Sequence, residues 1–147
     1  ASLEQTMTPP IVNGKESGDL LIVGWGSTLG AIEEAVDRAT AQGLSVSSLH
    51  LRYLSPMEVG LEEIFSKFKK VMTVEINYSD QAETTPNPRP AQLALLLRAH
   101  LMREIDFWSI VPGQPLGPGQ IVEVIREELR IDSTPQKKKI KKAGAGK

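Results

Sequence analysis

Three glycines, Gly24, Gly26 and Gly30, fall between an apolar run at residues 19–25 and a stretch of helical periodicity that follows. A strand, a glycine-rich turn and a helix N-terminus together bind anions, because free backbone N–H groups and the positive end of the helix dipole converge there. A dinucleotide fingerprint wants glycine at its first, third and sixth positions. Here the last glycine comes one residue late, with Leu29 in its place. That fingerprint also needs an acid at the end of the second strand to take the ribose hydroxyls, and the sequence offers His50 and Arg52 instead. The Gly-Lys-Ser/Thr of a phosphate loop is absent. The plainer reading is that the glycines let the helix pack closely on its strand, with Ser27 or Thr28 as its cap.

Other chemically capable residues are few. There is no Cys, which removes disulfides, thiolate catalysis and iron–sulfur or zinc-finger ligation together. With two His, a His-based metal site is not expected. His50 lies among Leu49, Leu51 and Tyr53, and reads as a part-buried side chain with a backbone partner more readily than as a general base. His100 has Glu104 one helical turn on, a spacing that stabilises a helix as well as it suggests a dyad, and no nucleophile is nearby. Glu75 ends a strand, where α/β proteins keep functional groups, but a buried Glu there could equally satisfy backbone amides. Trp25, large and apolar within the glycine turn, has the character of a contact residue. The candidates for an interface or an anion contact are therefore Trp25, Gly26, Ser27, Thr28, His50, Arg52 and Tyr53. No residue is assigned to catalysis, to a cofactor or to a metal.

The elements that must position these residues alternate in type. Residues 19–25 suit a strand buried on both faces. Ala31, Ile32, Ala35, Val36 and Ala39 form a helical stripe that Gly43 ends. Residues 44–51 read as a second strand, with Leu44, Val46, Ser48 and His50 on one side. A helix with Leu61, Ile64, Phe65 and Phe68 as its apolar stripe follows, then a third strand at 70–76. Strand–helix–strand–helix–strand predicts a parallel sheet with right-handed crossovers. Beyond it, 78–90 is a Pro-rich loop, 92–104 an apolar helix, 107–111 a fourth strand and 118–130 a last amphipathic helix with Pro118 in its first turn.

At 147 residues, 40% apolar and 24% charged, the chain supports one soluble domain. Residues 1–18 read as a linker from an upstream domain, 19–131 as the domain and 132–147 as a disordered tail. The tail holds six Lys and no acid from Ser133 on, so the rest of the chain is distinctly acidic. An acidic body with a short basic end is not built to neutralise many phosphates, so nucleic acid is not an expected partner. The chain start lacks a basic region followed by an apolar one, and no window is long and apolar enough to span a membrane. The expected compartment is the cytoplasm, with no membrane partner.

Four strings carry a resemblance to a known family: GDLLIVGWGSTLGAIEEAV at 18–36, SLHLRYLSP at 48–56, FKKVMTVEIN at 68–77 and QLALLLR at 92–98. In order and spacing they resemble the C-terminal, transketolase C-terminal-like domain in alpha subunits of 2-oxoacid:ferredoxin oxidoreductases, and most of all members acting on 2-oxoglutarate. The resemblance implies a three-layer α/β/α sandwich around a mostly parallel sheet with one antiparallel strand. It implies an enzyme that uses thiamine diphosphate and coenzyme A to make an acyl-CoA and CO2, reducing ferredoxin through iron–sulfur clusters. Thiamine diphosphate, Mg and cluster would lie in other domains or subunits, so this domain would be structural and inactive alone. Its partners would be an upstream domain of the same subunit and the beta subunit, with ferredoxin and coenzyme A serving the whole enzyme. Two features depart from the family pattern: a Pro-rich insertion at 78–91 between Asn77 and Gln92-Leu93, and the Lys-rich tail. Two alternatives stand beside this reading: the same module from another thiamine enzyme, or an independent small-molecule or anion-binding α/β module using the glycine turn.

Overall fold

Leu20, Leu21, Ile22 and Val23 are consecutive and wholly buried. They form the middle of strand β2 (Gly18–Trp25) and alternate between two separate cores, Leu20 and Ile22 in one, Leu21 and Val23 in the other. A strand that is apolar on both faces needs a helical layer over each. The structure, a computed structural model, describes residues 6–80 and 88–132. Its five-stranded sheet has the order β1-β3-β2-β4-β5. The other strands are β1 (Val12–Asn13), β3 (Val46–Leu51), β4 (Phe68–Glu75) and β5 (Asp106–Ser109). β2 through β5 are parallel, and β1 runs antiparallel to β3 with Val12 opposite Leu49. Helices α1 (Leu29–Ala41) and α4 (Pro118–Asp132) cover one face. Helices α2 (Leu61–Ser66) and α3 (Gln92–Leu101) cover the other. This is the three-layer arrangement with one antiparallel strand that the sequence and its resemblance predict.

The boundaries moved for physical reasons. Helix α1 ends as expected: Gly43 takes φ +85°, and the Gly43 and Leu44 amides donate to the Thr40 and Ala39 carbonyls, the paired bonds of a Schellman end. Leu44 is thereby spent on closing the helix, so β3 begins at Val46 and not at Leu44. Helix α2 has only six residues. Phe68 is consequently not on its apolar stripe; it opens β4 opposite Gly18, and its ring still joins the core of Leu61 and Phe65. Helix α3 stops at Leu101, where Met102 takes φ +51°.

Part of the stretch read as a linker is built into the sheet as β1. Two buried serines of β3 hold it. Ser47 Oγ donates to the Lys15 carbonyl at 2.7 Å, and Asn13 Nδ2 donates to Ser48 Oγ at 3.3 Å. Their hydroxyls therefore serve the edge strand, and β3 is buried on both faces instead of alternating between core and solvent. The neck of the Pro-rich loop is closed by Asp80, whose amide donates to the Arg89 carbonyl while its Oδ2 accepts from the Arg89 amide and Nε at 3.0 Å. The middle of that insertion and the Lys-rich tail expected to be disordered lie outside the described residues.

Candidate functional site

The parallel strands all end on one side of the sheet, and the glycine turn sits there. Gly24 is the packing glycine. A Cβ on it would stand 2.3 Å from Ile32 Cδ1 and 2.7 Å from Thr28 Oγ1, so a side chain here would force the buried Ile32 and Thr28 side chains to shift. Gly26 has open space around it but needs φ +63°, and Gly30 has open space and an ordinary backbone. The expectation of close helix–strand packing therefore holds at one of the three positions. Gly24→Ala should destabilise the domain by about 1–3 kcal/mol through overpacking. Gly30→Ala should leave stability unchanged or raise it by up to about 1 kcal/mol. Parallel urea titrations of the two variants check the pair.

The turn is poorly arranged to hold an anion. Residues Gly26–Thr28 form a 3₁₀ turn ahead of α1, and neither Ser27 nor Thr28 makes a side-chain cap on the helix. Thr28 is buried and its hydroxyl donates back to the Trp25 carbonyl at 2.9 Å, which commits the donor that an anion would use. Trp25, opposite Leu51 in the sheet register, is 41% exposed, and Ser27 is exposed beside it.

Next to Trp25, the end of β3 is organised by a residue that sequence reading missed. Glu58 is buried to 1% exposure, and its Oε1 accepts from the Arg52 amide at 2.6 Å, the Tyr53 amide at 3.1 Å and Arg52 Nε at 3.2 Å. Arg52 Nη2 also donates to the Thr8 carbonyl at 3.2 Å, and its guanidinium stands 5.7 Å from the centre of the Tyr53 ring. Arg52 and Tyr53 thus leave the sheet in a fixed direction with their outer surfaces in solvent. A carboxylate two residues past a proline was the only sequence signal for this, and it is a weak one.

His50, opposite Gly24, is part-buried as expected, but the expected partner is missing: its Nδ1 has none among the described residues. It faces a cavity of about 40 Å³ that Asn13, Ser48, Glu33 and Leu29 also line, room for one water-sized group. Glu75 is wholly buried and fully engaged. Its carboxylate accepts from the Leu93 amide at 2.7 Å, the Ala94 amide at 3.0 Å, Thr73 Oγ1 at 2.6 Å and Asn77 Nδ2 at 2.6 Å. The plainer of its two sequence readings is the observed one, since it satisfies amides in the first turn of α3. His100 is exposed and is not ion-paired with Glu104, because α3 ends before Glu104 can come one turn on. An open groove of about 770 Å³ runs between the 57–60 loop, α2 and the end of α3. It gathers Glu58, Glu62, Glu63, Ser66 and His100, but the Ser66 hydroxyl donates to the Glu63 carbonyl at 2.7 Å and not to the histidine, and no His, Asp and Glu among the described residues are grouped to hold a metal. No described helix is long and apolar enough to cross a membrane. The site is a surface of aromatic and apolar side chains with one oriented arginine.

No protein-family model matches the chain. It is 31% identical over 131 residues, 88% of its length, to the 2-oxoglutarate oxidoreductase subunit KorA of Mycobacterium tuberculosis, of which it covers 18%. It is 30% identical over 120 residues to the alpha subunit of 2-oxoacid:ferredoxin oxidoreductase 1 of Aeropyrum pernix, covering 80% of this chain and 17% of that one. Among solved structures it superposes on the 2-oxoglutarate:ferredoxin oxidoreductase of Magnetococcus marinus, determined with 2-oxoglutarate, coenzyme A and succinyl-CoA bound. That match has a TM-score of 0.71 and 30% identity, over 85% of this chain and 20% of that one. A split-gene transketolase, at 18% identity and a TM-score of 0.58, over 84% of this chain and 42% of that one, shares the fold. The chain thus spans about a fifth of the length of the oxidoreductases it matches. It is a homologue of one segment of the alpha subunits of 2-oxoacid:ferredoxin oxidoreductases.

Proposed function

We propose that this chain is a non-catalytic, C-terminal assembly module of an alpha subunit in a cytoplasmic 2-oxoacid:ferredoxin oxidoreductase acting on 2-oxoglutarate. The observation that carries the reading is the match over 88% of the chain to a KorA subunit. The whole enzyme would decarboxylate the 2-oxoacid, pass the acyl group to coenzyme A and reduce ferredoxin. The residues of this chain do not fit the groups that such chemistry needs. No Cys is available to hold a cluster, the Gly-Asp-Gly…Asn motif for a metal-bound diphosphate is absent, and no described acidic cluster could hold the metal. Thiamine diphosphate, Mg and cluster would therefore be bound by other domains or by the beta subunit. This module's part is to present a rigid surface, the carboxyl end of its sheet around Trp25, to a neighbouring domain or subunit. The Thr28 hydroxyl, held by the Trp25 carbonyl, argues against the glycine turn as an independent anion site.

The purified chain, given 2-oxoglutarate, thiamine diphosphate, magnesium and coenzyme A, should reduce no viologen dye. Dye reduction should begin when the rest of the alpha subunit and the beta subunit are supplied. Turnover by the chain alone would overturn the reading. Thermal-shift measurements with phosphate, nucleotides and coenzyme A should show no stabilisation of the isolated chain, and a saturable rise in Tm would favour the anion-binding alternative.

A further inference from the structure

We infer that the whole carboxyl end of the sheet is one docking surface, and that its occupant is the domain of the same polypeptide joined through the N-terminal segment. This rests on the reading of the chain as an alpha-subunit module and adds which part of the assembly meets it. Large exposed apolar side chains are unevenly spread over the molecule. Ile11, Trp25, Tyr53, Ile76, Tyr78 and Val111 are all exposed, and all lie at or just beyond that one end. Trp25 ends β2, and Tyr53, Ile76 and Val111 follow β3, β4 and β5, while Ile11 precedes the antiparallel β1 and so stands beside the end of β3. Neighbouring strands are about 4.8 Å apart, so these side chains form a band rather than isolated points. Exposed Leu95 and Leu96 continue it down the outside of the first half of α3, whose start is fixed to the end of β4 by Glu75. Among residues 6–80 and 88–130 the opposite end exposes one such side chain, Met102, at 89%. Scattered surface hydrophobics need no explanation, but a contiguous band marks an interaction site.

The course of the chain identifies the occupant. The N-terminal segment reaches the domain at this end. Its Thr8 carbonyl accepts from Arg52, Pro10 is buried, and Pro9 packs on the loop before α2, where a Cβ on Gly60 would come within 3.0 Å of it. The C-terminal helix finishes at the other end, where Glu128 meets Lys70 near the start of β4 at 2.8 Å. Polypeptide joined ahead of Thr6 therefore arrives at the apolar band, and polypeptide joined after Asp132 departs from the end that lacks one. The complementary face would be apolar, with a carboxylate or carbonyl opposite the outward side of Arg52.

Hydroxyl-radical footprinting read by mass spectrometry tests this directly, because Trp25, Tyr53 and Tyr78 are reactive probes in the band and Met102 is an internal reference outside it. Three preparations are compared: the 147-residue chain, the intact alpha subunit, and the alpha–beta complex. Oxidation of the three aromatic residues should fall severalfold between the chain and the alpha subunit, with Met102 unchanged and no further fall in the complex. Protection that comes only with the beta subunit, or that grows with the concentration of the isolated chain, would assign the surface to a subunit contact or to a second copy and overturn the inference. Equal oxidation in all three would show that nothing covers the band, which overturns it as well. Dye reduction by the same complex separates this from the parent reading: activity with an unprotected band defeats only the inference, and protection without activity defeats only the reading.

Discussion

Glu75→Ala should cost the domain about 3–4 kcal/mol, the largest loss expected from any single truncation at this end of the sheet. The side chain is wholly buried and its two oxygens take four donors, the amides of Leu93 and Ala94, the Thr73 hydroxyl and the Asn77 amide. Two of those donors are backbone N–H groups in the first turn of α3, which have no partner within the helix. A carboxylate at that position also meets the positive end of the helix dipole. Alanine would strand the two amides and the Thr73 hydroxyl where little water can reach them, and an unsatisfied buried donor costs about 1–3 kcal/mol. Against a total stability of about 5–15 kcal/mol, the melting temperature should fall by on the order of 10 °C. Glu75→Gln retains one acceptor but turns an NH2 group towards donors, so it should lie between the parent and the alanine variant. Amide exchange at Leu93 and Ala94 would quicken ahead of the rest of the sheet. A Glu75→Ala variant within about 0.5 kcal/mol of the parent would show that the cap is not what anchors α3.

The contrast between Glu75 and Glu58 shows what was legible in the sequence. The fold was, because it rests on short-range signals: an uninterrupted apolar run for β2, helical stripes for α1 and α4, a glycine at the left-handed end of α1. Even the misplaced boundaries follow from tertiary pairing that periodicity cannot register, as when Phe68 opposes Gly18 instead of ending a helix. Glu75 could be flagged because a strand end is a recognisable place, although its partners lie 18 and 19 residues away. Glu58 gave no comparable sign. It sits in an irregular loop, and its role depends on how the segment after β3 folds back to meet the amides of Arg52 and Tyr53. The site residues divide the same way. Trp25, Arg52 and Tyr53 do come together at one end of the sheet, as strand ends must. Thr28 and His50 do not join them, since one is bonded to the local backbone and the other faces a small cavity beside Asn13 and Ser48.

Trp25→Ala is expected to separate assembly from folding. In the isolated chain the indole is 41% exposed and is not part of either apolar core, so its loss should cost less than about 1 kcal/mol. Its backbone pairing with Leu51 does not involve the side chain and survives the substitution. In the assembled enzyme the same ring would occupy the middle of a desolvated band, with Tyr53 and the Arg52 guanidinium at its edge. Aromatic anchors at the centre of an interface carry about 1–3 kcal/mol or more of the association energy, while the surrounding residues chiefly exclude water. Association should therefore weaken by about 1–3 kcal/mol, roughly a fivefold to 150-fold rise in dissociation constant. Gly26, which holds the turn at φ +63°, keeps the indole at the end of its strand, so the loss reflects the ring and not a collapsed loop. Sedimentation of the 147-residue chain mixed with the separately supplied remainder of the alpha subunit, set beside urea denaturation of the isolated chain, gives the two numbers. If the substitution unfolds the isolated chain and leaves assembly unchanged, Trp25 is a core residue and the carboxyl end of the sheet is not the interface. If association weakens while the chain alone stays folded, the module's contribution to the enzyme is located at the turn whose glycines first suggested a phosphate site.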